Sequence, residues 1–169
     1  VQRMVAAALI AGSLFWVADA AGLKDDAAKA YLRIGTATDR PSSYSDIIKN
    51  EFDILVCENA MKFSSTEPQK GKFTFTSGDN VLKFAESNNM AMRGHCLLWH
   101  TQVSSWIQNL NREQTLEGMK EHIDSVLTHY KGKILEWDVV NEAVADGGNS
   151  LRSSFWTKNV GSDFIDSAF

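Results

Sequence analysis

The stretch Trp137-Asp138-Val139-Val140-Asn141-Glu142-Ala143 places a carboxylic acid at the end of a short apolar run of strand-forming residues, just before the Gly147-Gly148 turn. With alternating faces, Glu142 shares a side with Val140 and Asp138. A carboxyl held at the end of a buried strand, partly desolvated and near other acids, can stay protonated at neutral pH and act as a general acid. Two earlier strand-like stretches end in polar groups in the same way. Glu58, Asn59 and Lys62 follow Phe52–Cys57, and His95, Trp99, His100 and Gln102 close or follow Met90–His95. With Asn141 these supply carboxyl, amide, imidazole, ammonium and indole groups, without a phosphate-binding loop, a Ser-His-Asp pattern or a Cys/His metal spacing. Short polar groups beside a flat indole suit a sugar, whose hydroxyls take paired partners and whose C–H face lies on an aromatic ring. Singly, Lys62 reads as a solvated charge, Trp99 as core and His95 as a satisfied strand-end histidine. Their coincidence on three successive strand ends points to one site.

The elements that must position them alternate. Lys24–Tyr31 reads as an Ala-rich helix and Leu32–Ala37 as a first strand. Pro41-Ser42-Ser43 opens a second helix with Ser43 as N-cap and Ile47, Ile48 and Phe52 on one side. After the second strand, Asp79–Asn88 reads as a helix with Val81, Leu82 and Ala85 inward, and Met90–His95 is the third strand. Asn111 with Gln114 forms a capping box for a helix bearing Leu116, Met119, Ile123, Val126 and Tyr130 at helical spacing, ended by Gly132. Four strands with no hairpin turns require a parallel sheet with helical crossovers. An open doubly wound sheet and a (β/α)₈ barrel both satisfy this. No Gly-x-Gly-x-x-Gly loop follows the first strand, and polar residues gather at the C-terminal ends of strands two, three and four. The expected fold is therefore α/β, the N-terminal half of a (β/α)₈ TIM barrel.

Composition narrows the partners. The 169 residues are 44% hydrophobic with a formal charge of −4, so one domain or part of one is expected, with no basic face for nucleic acid or anionic membrane. An uncharged ligand fits better. Residues 1–20 read as a secretory signal peptide, with Arg3 before the apolar run Val5–Val17 and small residues Ala18 and Ala20 at the cleavage positions. The run is shorter than the roughly 20 residues of a membrane span. Val1 suggests a start slightly inside the gene, and Ser162–Phe169 reads as the first turns of an unfinished helix. Residues 21–169 are thus expected to be an incomplete catalytic domain of an exported protein. Cys57 and Cys96 could pair in that compartment, but two buried free thiols are the expectation.

Three stretches carry a family resemblance. Val56-Cys57-Glu58-Asn59-Ala60-Met61-Lys62-Phe63, Gly94-His95-Cys96-Leu97-Leu98-Trp99-His100-Thr101-Gln102 and Trp137–Ala143, in this order and spacing, resemble the endo-β-1,4-xylanases of glycoside hydrolase family 10. The resemblance implies a secreted (β/α)₈ barrel that cleaves internal β-1,4 bonds of xylan with retention. It implies Glu142 as acid/base and Asn141 on the sugar beside the cleaved bond. By the same match Glu58, Asn59 and Lys62 bind the non-reducing side of the chain, and His95, Trp99 and Gln102 line the cleft around the central sugars. Phe63 stands where Trp is common, and Cys96 where Thr or Ser is usual. Xylan is the only partner implied, with no nucleic acid, no membrane in the mature form, no cofactor or metal, and a monomer at full length.

Retaining glycosidases need two carboxyls about 5–5.5 Å apart. The resemblance places the nucleophile on a seventh strand, and the sequence ends after the fourth, so these residues alone are expected to be inactive. Other retaining β-glycanases of the barrel superfamily, cellulases or mannanases, share the strand-four Asn-Glu. A non-catalytic carbohydrate-binding homologue would also use Trp99 and the amides.

Overall fold

The computed structural model describes residues 22–169; the signal peptide expected at 1–20 lies outside them. A first helix, α1 (Leu23–Lys29), precedes β1 (Gly35–Ala37), a 3₁₀ turn at Pro41–Tyr44, α2 (Ser45–Glu51) and β2 (Ile54–Val56). There follow α3 (Phe63–Thr66), α4 (Thr76–Ser87), β3 (Ala91–Leu98), α5 (Ser105–Gln108), α6 (Arg112–His129), β4 (Glu136–Val140), α7 (Phe155–Asn159) and α8 (Phe164–Ala168). The strands form one sheet in the order β1-β2-β3-β4, each neighbour parallel. This is the expected alternation.

The longest of the described helices is α6, and its cause is local. Asn111 Oδ1 accepts the N–H of Gln114 at 2.9 Å, and Gln114 Oε1 accepts the N–H of Asn111 at 3.3 Å, the reciprocal box expected from these types at this spacing. Such a cap is worth about 1 kcal/mol. Along the helix Thr115, Gly118, Met119, His122, Ile123 and Val126 form one buried stripe. That stripe, with Val81, Leu82 and Ala85 of α4, packs on Leu55, Met92 and Leu98 of the sheet. Each fully buried aliphatic side chain of this set stabilises the fold by roughly 1.5–3 kcal/mol.

Several boundaries differ from expectation. The first strand is shorter, because the Asp53 carboxylate takes the Ile34 N–H and the Arg33 guanidinium where the ladder would otherwise continue to Leu32. Ser43 does not cap α2; it lies within the 3₁₀ turn, and Tyr44 precedes the helix without a side-chain cap. The third strand runs on to Leu98, since Cys96, Leu97 and Leu98 continue its buried apolar run. Between the pairs His95–Asp138 and Leu98–Val140, β3 carries one residue more than β4, which bulges the strand and re-aims the residues beyond it. Gly94 serves this pairing too: a Cβ there would collide with the Trp137 ring. Cys57 and Cys96 are buried and free, as expected. Burial raises both thiols, Cys96 to about 12.

Candidate active site

The sheet's C-terminal edge is where the predicted residues meet. After β1, Asp39 folds the loop beyond β2 around its carboxylate: Oδ1 accepts the N–H groups of Glu58 at 3.0 Å and Ala60 at 3.1 Å, and Oδ2 that of Asn59 at 2.9 Å. Sequence reasoning missed Asp39. The signal was the polar residue after a strand, the one that marked the other three strands. Asn59 then acts as a hub, its Oδ1 accepting from Lys62 Nζ and from Gln102 Nε2, each at 3.0 Å. The Lys62 ammonium, on a side chain almost fully buried, also sits 4.3 Å from the centre of the Trp99 ring, a cation–π distance. No carboxylate lies within ion-pair range of it among the described residues, so the Asn59 amide oxygen and the Trp99 ring face are its neutralising contacts.

Trp99 connects this cluster to the candidate acid. Its indole N–H donates to Glu142 Oε2 at 2.9 Å, and His100 Nδ1 lies 3.5 Å from the same oxygen. Glu142 is half exposed and has φ 51°, in the left-handed region. Strand alternation therefore does not set the direction of Glu142. The ladder ends at Val140, the Asn141 N–H still reaches Leu98 O at 2.8 Å, and a left-handed turn at Glu142, not strand alternation, aims its side chain. Arg152, also missed, holds that turn: its Nε donates to the Glu142 carbonyl at 3.0 Å and its Nη2 to the Val144 carbonyl at 3.1 Å. Asp146 accepts from the same guanidinium at 2.6 Å, and this holds its carboxyl below the usual range. Trp156 donates to the Trp99 carbonyl at 2.7 Å and lines one pocket with His100, Asn141, Glu142 and Arg152.

His95 and Glu58 stand apart from that chain of contacts. His95 Nδ1 is 2.8 Å from Asp138 Oδ2, and Arg93 binds the other Asp138 oxygen. With Nδ1–H donating to the carboxylate, Nε2 is left without a protein partner among the described residues, and His95 lines a hollow of about 500 Å³ that Glu58 also lines. The Glu58 side chain has no protein partner there among the described residues. All eight predicted residues thus gather at one rim, in two groups: Asn59, Lys62, Trp99, Gln102, Glu142 and Asn141 on one side, Glu58 and His95 on the other. Among the described residues no cluster of three His, Cys, Asp or Glu side chains could hold a metal ion. The arrangement offers hydrogen-bond donors and acceptors, one aromatic plate and two carboxyls reachable from solvent, Glu142 and Glu58.

Residues 22–169 match glycosyl hydrolase family 10. The chain belongs to this family. Over 161 residues it is 42% identical to endo-1,4-beta-xylanase A of Thermoanaerobacterium saccharolyticum, covering 83% of this chain and 14% of that enzyme. It is 42% identical, again over 161 residues, to exoglucanase XynX of Acetivibrio thermocellus, covering 83% of this chain and 15% of that protein. The crystal structure of xylanase 10B from Thermotoga petrophila RKU-1 in complex with xylobiose superposes with a TM-score of 0.81 at 37% identity, over 88% of this chain and 48% of that one. The chain therefore spans about half of a solved family 10 xylanase, and its four parallel strands fit the N-terminal half of that family's TIM barrel.

Proposed function

We propose that these residues form the part of a retaining endo-1,4-β-xylanase that supplies the acid/base, Glu142, and the grip on the non-reducing side of the xylan chain. One observation carries the reading: Trp99 touches both the Lys62–Asn59–Gln102 cluster and Glu142, so a sugar held by the cluster lies beside the carboxyl. The xylobiose bound to the Thermotoga petrophila relative supports a xylan-type ligand.

In this reading Glu142 gives a proton to the leaving glycosidic oxygen as a carboxylate attacks the anomeric carbon from the opposite face. It then takes a proton from the water that displaces the enzyme from the glycosyl ester. With Trp99 donating to Oε2, Oε1 is the oxygen free to carry that proton. The attacking carboxylate is assigned to a part of the protein beyond these residues, because two of the other acids at this rim are committed and the third, Glu58, falls by resemblance at a sugar-binding position. Asp39 holds three backbone N–H groups, and Asp138 holds His95 and Arg93. Accordingly the 169-residue polypeptide is proposed to be inactive alone, and release of reducing sugar from xylan by it contradicts this. The export reading rests on the composition of residues 1–20.

The 42% identity to a protein named exoglucanase favours one rival, a retaining glucanase of the same family. Rates of the full-length protein on xylan, carboxymethylcellulose and mannan decide between them: xylan fastest supports the proposal, and carboxymethylcellulose fastest overturns it.

A further inference from the structure

Glu67 has no exposed surface, yet it lies five residues past Lys62 on the loop that follows β2. All of its polar atoms are engaged. Oε1 accepts the Gly71 N–H at 2.8 Å, Oε2 is 3.0 Å from Nδ1 of His122 on α6, and its N–H donates to the Phe63 carbonyl at 2.8 Å. Its own carbonyl accepts from Ser104 Oγ at 2.7 Å and from Trp106 Nε1 at 3.1 Å. A single side chain and its carbonyl therefore join the loop after β2, the loop after β3 and the helix behind them.

Those two loops carry Lys62 and Gln102, which converge on Asn59. They are also joined directly, the Ser64 N–H donating to the Gln102 carbonyl at 2.9 Å. The His122 ring stacks on Phe63, the residue next to Lys62, with centroids 3.7 Å apart and planes 13° from parallel. Trp106 lies over Gly118 of α6 so closely that a Cβ there would come within 3.0 Å of the indole. Burial lowers the His122 pKa against the pull of Glu67, and with Nδ1–H donating to the Glu67 carboxylate, Nε2 has no partner. Apolar side chains could fill this volume, but they would leave the loops free to slide. Directional bonds to one buried carboxylate fix their spacing.

We propose that Glu67 is a positioning residue for the sugar-binding cluster: through Gly71, His122, Ser104 and Trp106 it sets how far apart Lys62 and Gln102 stand, and with them the affinity for the sugar, without touching the ligand. This rests on reading that cluster as sugar-binding.

The test uses the full-length protein with Glu67→Ala, Glu67→Gln and Trp106→Phe, the last removing the indole N–H from the Glu67 carbonyl together with part of the ring packed on Gly118 and Phe63. Expected in Glu67→Ala and Trp106→Phe are a KM for xylo-oligosaccharides raised about tenfold with kcat within about twofold. Glu67→Gln keeps an acceptor for Gly71 and can donate to His122, so it should recover most of the loss. Hydrogen exchange should quicken at the Gly71 and Ser64 amides and not along α6. A fall in thermal stability with KM unchanged overturns the proposal, because a purely structural residue behaves that way. If Glu67→Ala does not fold, Trp106→Phe carries the test. If the parent protein binds no xylo-oligosaccharide, the reading of the site fails instead. Exchange then decides the positioning, and unchanged rates at Ser64 and Gly71 in Trp106→Phe overturn it.

Discussion

Replacing Asp39 by alanine removes one carboxylate that organises an entire loop. Three backbone N–H groups point at it, from Glu58, Asn59 and Ala60. They do not respond alike. Ala60 is buried at 8% exposure, so its N–H is left unsatisfied at a cost of about 1–3 kcal/mol. Glu58 is exposed and Asn59 partly so, and their N–H groups turn to water, each losing the net value of a bond, about 0.5–1.5 kcal/mol. The variant should therefore lose about 2–6 kcal/mol, a large part of the 5–15 kcal/mol that holds a typical domain together. Asp39→Asn keeps an acceptor for the N–H groups on one side and turns a donor toward Asn59 if oriented that way, so it should lose less than alanine. The assay pairs urea unfolding with xylotriose titration by calorimetry. Stability and affinity should fall in the order wild type, Asp39→Asn, Asp39→Ala, because the same loop carries Glu58 and Asn59. A midpoint and an affinity both unmoved in Asp39→Ala refute the reasoning.

Other outcomes depend on buried groups. Burial holds His122 below its ordinary value of 6.5, against the opposing pull of Glu67. The unfolded chain then binds the proton first, so stability rises with pH in this window. It is lost as pH falls below about 6.5, by up to about 1.4 kcal/mol per pH unit, and urea unfolding of His122→Gln should lack that slope. A parallel slope in the variant contradicts the assignment. Cys57 and Cys96, buried and with raised thiol pKa values, should resist iodoacetamide at about pH 8 in the native protein and react in urea, as mass spectrometry would show.

What could be read from the sequence was local. The Asn111–Gln114 box and the buried faces of α4 and α6 depend on spacings within one helix, and the structure places them where those spacings put them. The polar strand ends were legible for the same reason, and in the structure they lie in two groups at the C-terminal edge of the sheet. Longer-range effects were not. No residue type marks the extra residue that bulges β3 beyond His95, so the strand looked shorter than it is. The aim of Glu142 depends on a left-handed turn pinned by Arg152, ten residues away, and not on strand alternation. The partners of Asp39 are backbone N–H groups about twenty residues further along the chain, a contact that its type and position do not announce. Ser43 looked like a cap by type, but the Pro41 turn displaced the helix start past it.

The assignment of Glu142 is tested most directly by the leaving-group dependence of Glu142→Ala in the full-length protein. Xylan leaves as a poor, strongly basic alkoxide that needs a proton, whereas a dinitrophenyl xyloside departs unaided. The account predicts that kcat/KM falls by about 10²- to 10⁴-fold on xylan and far less on the activated aryl glycoside. An equal loss on both substrates would contradict it.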